Sequence, residues 1–156
     1  MIACSQVEKE IAVRYITGTS EEMMTMHARG QFDVTLTPPD TESDAETATL
    51  GRLLINKQFH GDLDATSKGQ MLAVQTDVEG SAGYVALEKV SGTLQGRRGS
   101  FVLQHSGIMD RGQPQLSVTV IPDSGTEQLV GLTGKMEIII EGGTHFYEFE
   151  YSLASA

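Results

Sequence analysis

Glycine recurs along most of this chain at intervals close to the roughly 8–12 residues that separate the turns of an antiparallel meander. The sequence has 17 glycines among 156 residues. From Gly51 onward they occur singly or in groups such as Gly80 to Gly83 and Gly142-Gly143. This spacing leaves little room for helices. It restricts the chain to short strands joined by glycine-containing turns.

Between the glycines, apolar and polar residues alternate, which is typical of a strand with one buried face. From Met24 to Leu36 every even position is apolar or small and every odd position is polar. The strand ends at Thr37-Pro38-Pro39, because proline cannot donate to a ladder. Seven further strands are predicted, over Arg52 to His60, Met71 to Glu79, Tyr84 to Val90, Ser100 to Met109, Leu116 to Ile121, Lys135 to Glu141 and Thr144 to Leu153.

Strands without helices to cover them must close on themselves or pair as a sandwich to remove their edges. We predict an all-β fold, a closed antiparallel eight-stranded barrel of the calycin-like kind. The interior of such a barrel is just wide enough for side chains or for one small ligand. Residues 23–156 are assigned to this single barrel domain. Residues 1–22 fit neither a helix nor a strand clearly and are predicted to be an N-terminal appendage.

The charge balance restricts the partners. The chain has 11 Lys and Arg against 21 Asp and Glu, a net charge of −10, which repels phosphate backbones and anionic lipid. We therefore expect no nucleic-acid and no membrane partner, and leave homo-oligomer formation open. The single Cys4 excludes an intrachain disulfide and a cysteine zinc cluster. Because the first residues lack the basic start of a secretory signal, a cytoplasmic location is expected.

Four segments, taken together, resemble a bacterial domain-of-unknown-function family with an allene-oxide-cyclase-like β-barrel. They are Gly30 to Val34, Gly80 to Tyr84, Gly99 to Gly107 and Pro122 to Thr126, and the likeness covers about residues 28–153. The late Ser124-Gly125 turn is also similar to a hairpin of plant allene oxide cyclases and dirigent proteins. The resemblance implies a barrel with an apolar or aromatic cavity. It does not imply cyclase chemistry, because one fold supports many functions.

Sequence motifs of nucleotide-binding proteins, α/β-hydrolases and zinc peptidases are absent from the chain. Four histidines remain as candidates for chemistry. His27 lies on the polar face of the first strand and is predicted to face solvent. His60, with Asp62 and Asp64, has the residue types of a hard-metal site, but the same residues form an ordinary hairpin turn, which the sequence favours. We expect no metal and no cofactor.

The last predicted strand has one aromatic face and one acidic face. Because the face with Glu148 and Glu150 should meet water, the opposite face is predicted to point into the barrel. That face contains His145, Tyr147, Phe149 and Tyr151. It forms either a packed core with satisfied hydroxyl groups or the aromatic wall of a ligand pocket.

His105 is the second inward candidate, because it shares a strand face with Phe101 and Leu103. Glu88, on the face of Tyr84 and Ala86, is the strand carboxylate that would partner it. Such a pair has the composition of a general acid and base. The alternatives are a buried histidine bonded to a carbonyl group and an exposed glutamate.

These observations predict that the lumen binds a small apolar or aromatic ligand. The predicted ligand-binding residues are Glu88, His105, His145, Tyr147 and Tyr151. Two alternatives stay open: an isomerase or cyclase that uses His105 with Glu88, and a structural or oligomeric scaffold with a packed interior. The content of the lumen discriminates among them, because only the scaffold needs it to be full.

Overall fold

The computed structural model of the protein describes residues 24–39 and 50–154. Each of eight strands pairs antiparallel with the next, and the last pairs with the first, so the sheet closes into a barrel. The predicted fold class is therefore confirmed. The strands are β1 (Met26–Thr37), β2 (Gly51–Gly61), β3 (Leu63–Gln75), β4 (Ala82–Leu94), β5 (Arg97–Asp110), β6 (Gln113–Val120), β7 (Thr133–Glu141) and β8 (Thr144–Ser152).

The appendage predicted at residues 1–22 lies outside the described residues. Within the two described segments, no helix has the length and hydropathy that crossing a membrane requires. A single 3₁₀ turn at Glu127–Leu129 interrupts the connection between β6 and β7.

Three hairpins turn through two residues that both have positive φ. They are Gln95-Gly96 (44° and 85°), Arg111-Gly112 (46° and 86°) and Gly142-Gly143 (56° and 81°). Positive φ at both central positions defines the turn whose twist matches that of the flanking strands, and glycine adopts it without steric cost. The glycines at these positions therefore set the hairpins, as their spacing indicates.

The prediction for the third strand was wrong in its extent. β3 begins at Leu63 instead of Met71 and ends at Gln75, so only Asp62 separates it from β2. Asp62 is held in this turn by Arg29 of β1: the Asp62 N–H donates to the Arg29 carbonyl oxygen at 3.1 Å, and the Arg29 N–H donates to the Asp62 carboxylate at 2.9 Å. Leu72 is 44% exposed, because the inward face of β3 consists of the odd positions.

The glycine spacing predicts a turn at Gly69 as well, but Gly69 lies within β3 opposite Glu88 of β4. A Cβ atom at this position would lie 2.3 Å from the Leu87 carbonyl oxygen and 2.7 Å from the Glu88 Cβ. Any side chain here would collide with the neighbouring strand. The glycine is therefore required for close strand approach beside Glu88 and not for a turn.

The two ends of the lumen differ. At the end that holds the β2–β3 and β4–β5 turns, large side chains fill the interior, helped by Leu129 and Leu132 from the β6–β7 connection. The filling side chains include Phe59, Leu63, Leu94, Phe101, Tyr147, Phe149 and Tyr151. We call this the packed end. The opposite end, where β3 turns into β4, β5 into β6 and β7 into β8, is called the open end.

Replacing Gly69 by alanine should destabilise the barrel. The added methyl group must displace the β4 backbone, and overpacking of this kind costs about 1–3 kcal/mol. Gly83→Ala is the matched control within β4, because a Cβ there meets its nearest atom, the Gly107 carbonyl oxygen, at 3.7 Å. Urea denaturation measures both variants. Equal stability of the two variants would contradict the close approach at Gly69.

Candidate functional site

A buried carboxylate, Glu88, lies in the middle of the lumen and is 1% exposed. Its Oε1 accepts hydrogen bonds from the Lys57 Nζ at 2.8 Å and from the His105 Nε2 at 2.6 Å. Its Oε2 accepts a hydrogen bond from the Ser67 Oγ at 2.5 Å. The four residues come from four adjacent strands, β2 to β5. We call them the polar layer, since they separate the packed end from the open end.

Strand alternation explains how Lys57 and Ser67 reach the lumen, although neither was predicted as a site residue. Lys57 lies between the inward residues Ile55 and Phe59, and Ser67 follows the inward Leu63 and Ala65. The signal was present in the period-two pattern. It was overlooked because a lysine at an interior position contradicts the usual placement of charge on the surface.

Aromatic rings accommodate the Lys57 ammonium group beside the carboxylate. Its Nζ lies 4.8 Å from the centre of the Phe32 ring and 5.7 Å from that of Phe59. Cations are attracted to the negative faces of such rings. Among the described residues, every buried side-chain nitrogen and oxygen has a hydrogen-bond partner.

The electrostatics of the polar layer keep Glu88 ionised. Burial alone raises the pKa of the Glu88 carboxyl group. The hydrogen bond from His105, the charge and hydrogen bond of Lys57 and the hydrogen bond from Ser67 outweigh burial and lower this pKa from 4.5 to about 2. Glu88 is therefore a buried negative charge whose partners all donate to it.

His105 reaches from the polar layer toward the open end. Its Nε2 contacts Glu88, and its Nδ1 lies 3.5 Å from the Tyr84 hydroxyl oxygen. Burial, and then the nearby negative charge of Glu88, raises the pKa of Tyr84, so this hydroxyl group stays protonated. Gly107 makes room for Tyr84, because a Cβ atom at Gly107 would lie 2.3 Å from the Tyr84 ring.

A cavity of about 470 Å³ occupies the open end. Its floor carries Lys57 and His105 of the polar layer, with Tyr84 beside them. On another wall, the His145 ring lies 5.2 Å from that of Phe32. The remaining wall is mostly aliphatic and includes Val34, Ile55, Met71, Ala73, Leu116 and Ile138.

The structure brings three of the five predicted site residues together at this cavity. His105 and His145 line it, and Glu88 lies directly behind His105. Tyr147 and Tyr151 point into the barrel as predicted, but they lie in the packed end and do not line the cavity. The alternation of a strand fixes which face is inward, whereas the height along the barrel depends on the stagger between strands.

The two tyrosines have structural partners instead. The Tyr147 hydroxyl group donates to the His60 carbonyl oxygen and accepts from the Leu63 N–H, both at 2.9 Å. The Tyr151 hydroxyl group donates to the side-chain oxygen of Gln95. Tyr147 thereby ties β8 to the β2–β3 hairpin, and Tyr151 ties it to the β4–β5 turn.

The other two histidines lie outside the lumen. His27 is exposed, as predicted. His60 Nε2 pairs with the Asp33 carboxylate at 3.0 Å, while Asp62 is engaged with the Arg29 backbone. The turn interpretation of this segment is therefore correct. In the parts of the chain that the structure describes, no group of three or more His, Cys, Asp or Glu side chains could hold a metal ion.

Comparison with known proteins gives a family but no activity. Residues 28–151 match the model of a family described as "Protein of unknown function (DUF3224)". The chain belongs to the DUF3224 family. This DUF3224 barrel is similar to a crystal structure of a DUF3224 protein of unknown function from Shewanella oneidensis MR-1. The two chains are 49% identical, with a TM-score of 0.79, over 85% of this chain and all (100%) of the other. No curated protein matches the chain.

The lowered pKa of Glu88 predicts how stability depends on pH. Between pH 4.5 and about 2, Glu88 binds a proton in the unfolded chain but not in the folded one. Its contribution to the free energy of unfolding is therefore complete above pH 4.5 and is lost as the pH falls toward 2. Glu88→Gln should remove this part of the pH dependence in urea titrations, whereas Glu79→Gln, at an exposed position, should retain it. A Glu88→Gln profile parallel to that of the unmodified protein would contradict the buried charge.

Proposed function

We propose that this barrel binds one small, largely apolar molecule in the open end of the lumen. The observation that carries the proposal is the cavity of about 470 Å³, whose walls are mostly apolar and whose floor carries Lys57, Tyr84 and His105. Ligand sites typically have volumes of about 300–1,000 Å³ and a few polar groups that fix orientation. The cavity has both properties.

The rim of the cavity also favours an apolar ligand. Leu36, Ile108, Leu116 and Ile140 lie around the mouth and are 45%, 58%, 45% and 64% exposed. Apolar side chains thus continue from the protein surface to the floor. A fully packed scaffold would need a filled lumen, and only the packed end meets that condition.

The charge of the site argues against strongly anionic ligands. Lys57 and Glu88 form an ion pair with an N–O distance of 2.8 Å, so their charges cancel at the floor. The net charge of the chain is −10, which repels anions at long range. A neutral ligand needs no unpaired cation at the floor and is not repelled by the net negative charge.

Filling the cavity should abolish binding. Val34 lines the open end, so Val34→Trp would place an indole ring in the space that the ligand needs. Thr35→Trp is the matched control, because Thr35 is exposed on the other face of the same strand. An environment-sensitive apolar dye, titrated by fluorescence, should bind the unmodified protein and the Thr35→Trp variant near one-to-one, and Val34→Trp at least about tenfold more weakly.

Thermal melting of both variants serves as the folding control. Equal dye affinity of Val34→Trp and Thr35→Trp would show that the dye binds outside the lumen. Absence of dye binding to the unmodified protein, together with failure of a panel of apolar aromatic compounds to raise its melting temperature, would contradict the proposal itself.

A second candidate function, a proton-transferring isomerase, is favoured by one observation. His105 contacts Glu88 beside the cavity at 2.6 Å. A carboxylate behind an imidazole orients the ring and stabilises its protonated form, which is the arrangement of a general base. Tyr84, which stays protonated, would face the oxygen atom of a bound carbonyl group.

The reaction that these groups support is the movement of a double bond. His105 Nδ1 takes a proton from the carbon between a carbonyl group and a carbon–carbon double bond. The electron pair of the broken C–H bond forms a double bond to the carbonyl carbon, and the π electron pair of the carbonyl group moves to its oxygen, where the Tyr84 hydroxyl group stabilises the dienolate. His105 then returns the proton to the far carbon of the double bond, so no atom or electron is gained or lost.

Isomerase activity can be tested with a β,γ-unsaturated cyclic ketone, whose conversion to the conjugated ketone is followed by ultraviolet absorbance. The unmodified protein should accelerate the conversion, and His105→Gln should lower the rate by at least about 100-fold, the usual contribution of a general base. Gln104→Ala, on the outer face of β5, is the matched control. If no ketone that binds is isomerised, and none exchanges its acidic proton in D₂O, ligand binding stands without catalysis.

A further inference from the structure

The polar layer determines which hydrogen-bonding group the floor of the cavity can accept. Glu88 is ionised and accepts from Lys57, Ser67 and His105, so each partner must contribute a hydrogen atom. His105 therefore has its hydrogen on Nε2. In the neutral imidazole ring, the other nitrogen, Nδ1, is then an acceptor with a free lone pair.

The acceptor at Nδ1 is not strongly occupied within the protein. Its partner is the Tyr84 hydroxyl group at 3.5 Å, which is the upper limit of a hydrogen bond and longer than the usual O–N separation. His105 and Tyr84 both line the cavity. A ligand hydroxyl group at the floor could donate to Nδ1 and accept from Tyr84.

The charged and polar groups at the floor also disfavour a ligand carboxylate or ether relative to a hydroxyl group. Lys57 directs its ammonium group at Glu88 and at two aromatic rings, so it is already paired. A ligand carboxylate would meet the lone pair of Nδ1, and Lys57, already paired with Glu88, would not neutralise its charge. A ligand ether would accept from Tyr84 but leave Nδ1 without a donor.

We infer that the ligand is a neutral hydroxyl compound with an apolar, flat body, such as a phenol or an enol, whose O–H group donates to His105 Nδ1. The flat body would lie against Phe32 and His145, which are opposite each other on β1 and β8 and whose rings contact each other at a centroid distance of 5.2 Å. This inference rests on the proposed binding function and adds the chemical class of the ligand.

Three probes that share one ring system test the inference on the unmodified protein. They are 2-naphthol, which has the donor, 2-methoxynaphthalene, which lacks it, and 2-naphthoate, which is an anion. Calorimetry at pH 7.5 should show 2-naphthol binding about three- to tenfold more tightly than 2-methoxynaphthalene, the effect of one neutral hydrogen bond, and 2-naphthoate binding most weakly.

Nuclear magnetic resonance reports directly on the ring nitrogens. In a long-range proton–nitrogen spectrum of the labelled protein, Nδ1 of His105 should appear as an unprotonated nitrogen. Its signal should move upfield when 2-naphthol is added and not when 2-methoxynaphthalene is added. A hydrogen atom on Nδ1 in the free protein would overturn the inference.

Substitutions locate the acceptor. His105→Phe keeps a ring of similar shape but removes both nitrogens, so the affinity ratio of 2-naphthol to 2-methoxynaphthalene should fall to about one. Gln104→Ala, on the outer face beside it, should leave the ratio unchanged. An unchanged ratio in a folded His105→Phe variant would overturn the inference. If His105→Phe does not fold, the probe affinities and nitrogen spectra of the unmodified protein decide the question.

The outcomes separate this inference from the proposal on which it rests. Equal affinity for 2-naphthol and 2-methoxynaphthalene would contradict the hydroxyl class and leave apolar binding intact. Tighter binding of 2-naphthoate would contradict the acceptor and indicate an anion site. If none of the probes binds, the proposed binding function fails as well.

Discussion

One buried negative charge determines how the interior of this barrel is organised. A carboxylate removed from water is costly unless it is fully hydrogen-bonded, and removing one partner of such a group is commonly worth about 3–5 kcal/mol. Glu88 meets this condition because Lys57, Ser67 and His105 all donate hydrogen bonds to it inside the lumen. Because Gly69 has no side chain, the strand that carries Glu88 can approach β3 closely at this point. These requirements place polar atoms where an ordinary barrel would have aliphatic packing.

The polar layer divides the lumen into two parts with different properties. In the packed end, aromatic rings stack on one another: the Phe149 ring lies 5.8 Å from the Phe101 ring and 5.2 Å from the Tyr151 ring, measured between centroids. In the open end, the inward residues are mostly smaller and aliphatic, and they do not fill the lumen, so a cavity remains. The packed end can supply most of the stability, because buried area and aromatic contacts are concentrated there. The open end is then available for recognition without loss of the core.

Much of this arrangement was predictable from the sequence because strands have a period of two. The eight-stranded barrel, the inward face of His105 and Glu88, and the outward position of His27 all follow from that alternation. The same rule could not show that Tyr147 and Tyr151 lie in the packed end and His145 in the open end. The height of a residue along the barrel depends on the stagger between strands, which all the strand pairs set together. The interior position of Lys57 was not predictable in this way, because it depends on the charge of Glu88, a partner on a strand to which β2 is not paired.

Closure of the barrel joins segments that are synthesised at very different times. β1 pairs with β8 through residues as far apart in the chain as Met26 and Tyr151. During translation, at about 5–20 residues per second, one edge of β1 stays unpaired for several seconds before β8 is synthesised. An unpaired strand edge is a template for association with other chains. The nascent protein is therefore most exposed to misassembly in the interval before β8 pairs with β1 and closes the barrel.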